Sequence, residues 1–151
     1  MRSLLFAAAL SALTTCAAFA ADGKIVKVLP HLLDKEGRHV LSPSLFERDA
    51  YQARLRKHPE LVSGMRFDVQ WKASGNVESP LKLRIELRTA NNASGAAAIR
   101  EIEVTKPRLW TRWSGVEIKG QEYTDLGEVL AWRASLVEGD KVVAEQRSFL
   151  W

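Results

Sequence analysis

Residues 65–73 read Met-Arg-Phe-Asp-Val-Gln-Trp-Lys-Ala, and residues 81–89 read Leu-Lys-Leu-Arg-Ile-Glu-Leu-Arg-Thr. In the first stretch Met65, Phe67, Val69 and Trp71 alternate with Arg66, Asp68, Gln70 and Lys72. In the second, Leu81, Leu83, Ile85 and Leu87 alternate with Lys82, Arg84, Glu86 and Arg88. Neighbouring side chains on a strand point to opposite faces, so this spacing gives each segment one apolar and one wet face. That is the pattern of an antiparallel sheet with one side on a core and the other in water. Gly75, Asn76 and Pro80 lie between the two runs and supply the turn.

Five further strands are read outward from this pair. Lys24–Leu33 is β-branched and apolar, and Pro30 places it at a sheet edge or a bend. Ala98–Thr105 carries Ile102 and Val104, Ser114–Lys119 carries Val116 and Ile118, and Glu128–Val137 carries Leu130, Trp132, Ala134 and Leu136. The last, Val142–Trp151, has a mixed pattern that calls for a bulge. Gly139-Asp140 before it supplies the positive φ of a tight hairpin. One segment departs from period two. Ser44 and Glu47 stand at capping-box spacing, and His58-Pro59 ends the run that follows, so a short helix is expected through Lys57, crossing from one sheet to the other. The expected fold is all-β: a two-layer antiparallel β-sandwich, immunoglobulin-like, of about seven strands with one crossover helix.

Composition agrees with one domain of this kind. The chain has 151 residues, of which 46% are hydrophobic. Fifteen of the first 20 are apolar, and residues 1–20 read as a signal peptide: Arg2 opens it, an apolar run follows, and Ala18-Phe19-Ala20 has the small-x-small form of a cleavage site. Ser11, Thr14 and Thr15 interrupt the run, which argues against a transmembrane anchor. Leu13-Thr14-Thr15-Cys16 departs from a lipoprotein box at Thr15, so no lipid anchor is expected at Cys16. Residues 21–151 are then one exported domain, periplasmic or secreted, that holds no cysteine and folds without a disulfide. Without Arg2 the 22 basic residues become 21 against 18 acidic ones. They are spread along the chain, and export argues against a nucleic-acid partner.

Three stretches carry a resemblance. Arg48-Asp49-Ala50-Tyr51-Gln52-Ala53, Phe67-Asp68-Val69-Gln70-Trp71-Lys72 and Ser148-Phe149-Leu150-Trp151 resemble an uncharacterised family of small exported bacterial proteins. The last hairpin, with Trp132 near its middle, is similar to the closing strands of immunoglobulin-like and fibronectin type III-like domains. Tyr123 stands just ahead of that strand, near the place of a tyrosine-corner residue, although the family's spacing and its cysteine pair are absent. The resemblance implies a β-sandwich and carries over no functional site.

Catalytic chemistry is hard to find. His31, His39 and His58 share no ligand spacing and flank turns, so they read as surface histidines, with no metal site and no cofactor. No G-x-S-x-G elbow, phosphate loop or dinucleotide fingerprint occurs. Glu101 and Glu103 share a strand face with basic neighbours, which describes a solvated row better than an acid–base pair. No catalytic residue is assigned.

Aromatic residues stand out instead. Of five tryptophans, Trp71 and Trp132 are in phase with apolar strand faces and belong to the core, and Trp151 is expected to fold onto a sheet. Trp110 and Trp113 alternate with Arg108 and Arg112, and an indole beside a guanidinium suits a sugar ring or an acidic partner. The competing expectation is that one indole closes the end of the sandwich. The functional expectation is an exported, non-catalytic binding module for an envelope or exported protein. A carbohydrate-binding module using Trp110, Trp113, Arg108 and Arg112 is the alternative, and a small envelope hydrolase or metal enzyme comes last.

Overall fold

The computed structural model describes residues 22–92, 95–107 and 110–151. The expected leader and Cys16 lie outside them, as does Arg108. The chain runs β1 (Asp22–Asp34), α1 (Leu45–Lys57), a 3-10 turn (Pro59–Leu61), β2 (Val62–Ser74), β3 (Leu81–Thr89), β4 (Ala98–Val104), β5 (Arg112–Lys119), α2 (Gly120–Leu126), β6 (Val129–Glu138) and β7 (Lys141–Arg147). Seven strands form two antiparallel sheets, ordered β1-β2-β5 and β4-β3-β6-β7. The expected all-β sandwich is therefore present. Its adjacencies 1-2-5 and 3-6-7 are those of immunoglobulin-type sandwiches, with β4 placed beside β3.

The alternation that decided the fold is realised. Phe67, Val69 and Trp71 on β2 and Leu83 and Ile85 on β3 have no exposed surface, and they meet Val116 and Ile118 of β5 in a single cluster. Trp132 packs on this cluster edge-to-face with Phe67, at 6.2 Å between ring centroids. Three of the apolar residues expected in the core depart from it. Leu130 is 44% exposed because the pairing passes from Arg88↔Ala131 to Thr89↔Val129 and skips it, so it is the extra residue of a bulge. On β4, Ile102 and Val104 only border the core.

The helix is found where expected, but its route differs. Ser44 caps it, accepting from the Glu47 amide at 3.5 Å. α1 joins β1 and β2, which are neighbours in one sheet, so it closes an excursion within that sheet and does not cross to the other. α1 lies against β1 and buries Gln52 and Leu55. A cap of this kind contributes about 1 kcal/mol. Ser44→Ala should lower unfolding free energy by roughly that amount in urea titrations, with the slope against denaturant unchanged.

The second helix, α2, has no counterpart in the sequence reading. It carries Tyr123 and Leu126 onto the core cluster. The expected hairpin is present: Glu138 pairs with Lys141 across Gly139-Asp140, and Gly139 has φ 56°. The expected bulge of the last strand is at Val143 of β7, which is skipped where the pairing passes from Leu136↔Ala144 to Val137↔Val142. Pro30 sits in β1, an edge strand, with a further bulge at Val26.

Candidate functional site

The outer face of the β1-β2-β5 sheet carries the side chains that alternate with the core. The register sets them in rows: Lys27, Gln70 and Trp113; then Leu29, Asp68 and Gly115; then His31, Arg66 and Glu117. Gly115 leaves room in the middle row for the Arg66 guanidinium, which lies over it; a Cβ there would come within 2.8 Å of Nη2 and push the guanidinium aside.

Trp113 closes one end of this face and is 48% exposed. Beside it the Gln70 side-chain amide donates to Thr111 Oγ1 at 2.9 Å. Trp110, just ahead of β5, is 88% exposed. Its φ of 71° makes it the one non-glycine residue in the left-handed region among the described residues. A bulky side chain there costs on the order of 1 kcal/mol or more, and strain of that kind concentrates at functional positions. Arg112 is exposed as well. Ring contacts among the described residues join His31 to His39 and Phe67 to Trp132, and neither involves Trp110 or Trp113.

Guanidinium–indole stacking does occur, on a different tryptophan. Trp151 folds back onto the other sheet, where the guanidinium carbons of Arg88 and Arg133 lie 4.5 and 4.9 Å from the ring centroid. Arg133 is held by two hydrogen bonds to Glu86, of 2.7 and 2.8 Å. The expectation that Trp151 lies on a sheet is met. Sequence spacing could not show this pairing, because Arg88, Arg133 and Trp151 come from three separate segments.

The opposite end of the outer face corrects the reading of the histidines. His31 is 8% exposed, buried in β1 rather than at the surface. Its ring lies 4.9 Å from that of His39, and its Nε2 is 3.7 Å from Asp68 Oδ2. His58 is elsewhere, exposed, with Nδ1 3.0 Å from Glu60. Burial lowers the His31 pKa, His39 and two arginines add to the effect, and Asp68 only partly opposes it. His31 is therefore a neutral imidazole at neutral pH.

The turn that returns His39 to His31 is built on Asp34. The Asp34 amide donates to the Arg38 carbonyl and the Gly37 amide to the Asp34 carbonyl, both at 2.9 Å, and Gly37 takes φ 76°. Asp34 Oδ1 accepts from the amides of Glu36 and Arg38; Oδ2 accepts from Arg38 Nε at 2.8 Å and the Tyr51 hydroxyl at 2.5 Å. Gln52, buried on α1, ties the same region together. Its side chain accepts from Leu32 N, and donates to the carbonyls of Leu32 and His39.

No protein-family model matches this chain, and no curated protein matches it significantly. Among the described residues no helix is long and apolar enough to cross a membrane.

Proposed function

We propose that this chain is an exported, non-catalytic binding module that engages an envelope component or another exported protein through the Trp110–Trp113 end of the β1-β2-β5 sheet. The observation that carries the reading is Trp110, 88% exposed on a backbone that disfavours any residue but glycine. A stable fold has no need to hold a large indole in water at a conformational cost, whereas a contact surface does. Trp110 lies in the connection from β4 to β5 and Trp113 in β5 itself, so the sheet presents both. Export rests on residues 1–20.

A photo-crosslinking amino acid in place of Trp110 tests this in the producing cell. One discrete adduct, lost when Trp113→Ala is added, is expected. No adduct, or adducts indifferent to Trp113, would reject the module.

Carbohydrate recognition is the second reading, favoured by the polar groups of Gln70 and Thr111 next to the Trp113 ring. Indole faces stack on sugar rings while amides and hydroxyls bond to the sugar's oxygens. On a glycan array the chain should then retain a ligand that Trp110→Ala and Trp113→Ala each weaken at least tenfold. Trp110 is 88% exposed, so Trp110→Ala should stay within about 0.5 kcal/mol of the parent in stability. Glycan binding that survives both substitutions would remove the platform.

A further inference from the structure

The geometry points to a divalent transition-metal site of the Zn2+ or Cu2+ class at His31, His39 and Asp68. One ligand atom from each of the three lies within 4.8 Å of the others. Two imidazole nitrogens and a carboxylate oxygen form a donor set for borderline ions of this class, with the remaining position left to water. A tetrahedral ion with bonds of about 2.0–2.1 Å needs donors about 3.3 Å apart. His31 Nε2 and Asp68 Oδ2 already stand at 3.7 Å, so small side-chain rotations close the set.

The surroundings hold these donors as a metal site requires. Arg66 places both Nε and Nη2 on Asp68 Oδ1 at 2.8 Å, which fixes the carboxylate and leaves Oδ2 toward His31. Gln52 bonds the backbone of Leu32 and of His39, one residue from His31 and at His39 itself, so both histidines are set by one buried side chain. Partners of this kind, behind the ligands, are what align them. Access is available, because an open groove of about 460 Å3 runs past His39 along Val40, Leu41, Ser42, Pro43 and Arg48.

Charge around the site is mixed. Arg66 is engaged by Asp68 and by Glu117 at 3.1 Å, and Arg48 stands 3.5 Å from Asp49. Their positive charge favours the neutral imidazole that a metal needs and lowers affinity for the ion.

The site does not depend on the binding-face reading, since Trp113 lies at the other end of the sheet and is no ligand. The test is calorimetric titration of the purified chain, without a polyhistidine tag, with Zn2+ and with Cu2+ at pH 7.5. One equivalent of at least one ion should bind with Kd below about 10 µM. His39→Ala and His31→Gln should each weaken it tenfold or more, and His58→Ala should leave it unchanged. His31 is buried, so His39→Ala, at a less buried position, carries the test if His31→Gln fails to fold. Binding weaker than 10 µM for both ions, or binding that His39→Ala leaves intact or His58→Ala removes, overturns the site.

Discussion

Trp71→Ala should lower the unfolding free energy by about 4 kcal/mol, the largest effect of any single substitution considered. The side chain is fully buried in the cluster that joins the two sheets, and its Nε1 donates to Ser114 Oγ at 3.0 Å. Truncation removes the apolar contacts of an indole, leaves a cavity that neighbouring strands cannot collapse to fill, and strands a hydroxyl that had a partner. Domains of this size are stable by about 5–15 kcal/mol, so the change takes a large share of the total. The melting temperature should fall by on the order of 15 °C. Trp71→Phe restores much of the buried surface but not the hydrogen bond, and should cost about half as much. Calorimetric melting of the three proteins decides it, and a loss under 1 kcal/mol for alanine would mean that Trp71 does not hold the sheets together.

Asp34→Asn ranks second, at about 2 kcal/mol at neutral pH, and its signature is a dependence on acid. Burial alone would raise the Asp34 carboxyl, but hydrogen bonds from Tyr51 and from the Arg38 backbone and side chain outweigh it and hold the pKa at about 2. A carboxyl depressed in the folded state stabilises the fold above its unfolded value near 4, and that stability drains away as pH falls toward 2. The difference between parent and Asp34→Asn should thus be flat from pH 7 to about 5 and shrink toward zero near pH 2. Urea titrations across that range measure it. A difference that stays constant with pH would show that the carboxylate charge contributes nothing to the turn.

How much of this was legible in the sequence depends on whether a feature is local or built from several segments. Residues 65–73 and 81–89 gave the sandwich away because every second side chain is apolar and buried. Glu128–Val137 was half legible: Ala134 and Leu136 keep the phase, whereas the bulge at Leu130 depends on where β3 ends. The route of α1 was misread because a cap and a stop define a helix but say nothing about which strands it joins. α2 was missed because its seven residues, Gly120–Leu126, are too few to show a helical period.

The histidine pair was invisible for a different reason. Residues 31, 39 and 68 form no spacing motif, and strand register and the turn at Asp34 bring them together. One signal was present: Asp34-Lys35-Glu36-Gly37-Arg38 has the composition of a reversing turn, with a histidine on either side. Alternation of Trp110 and Trp113 with arginine is compatible with exposed indoles, but the left-handed backbone of Trp110 has no signature in a one-dimensional chain.

The margin of the first sheet has a consequence for what the protein avoids. An exposed edge strand is a template on which another extended polypeptide can add and start a fibril. Here β1 offers no N–H at Pro30, bends out of line at Val26, and puts Lys24 and Lys27 along the way. An incoming copy would meet a broken ladder and repelling ammonium groups, so concentrated solutions of the protein should resist growing into filaments from this side.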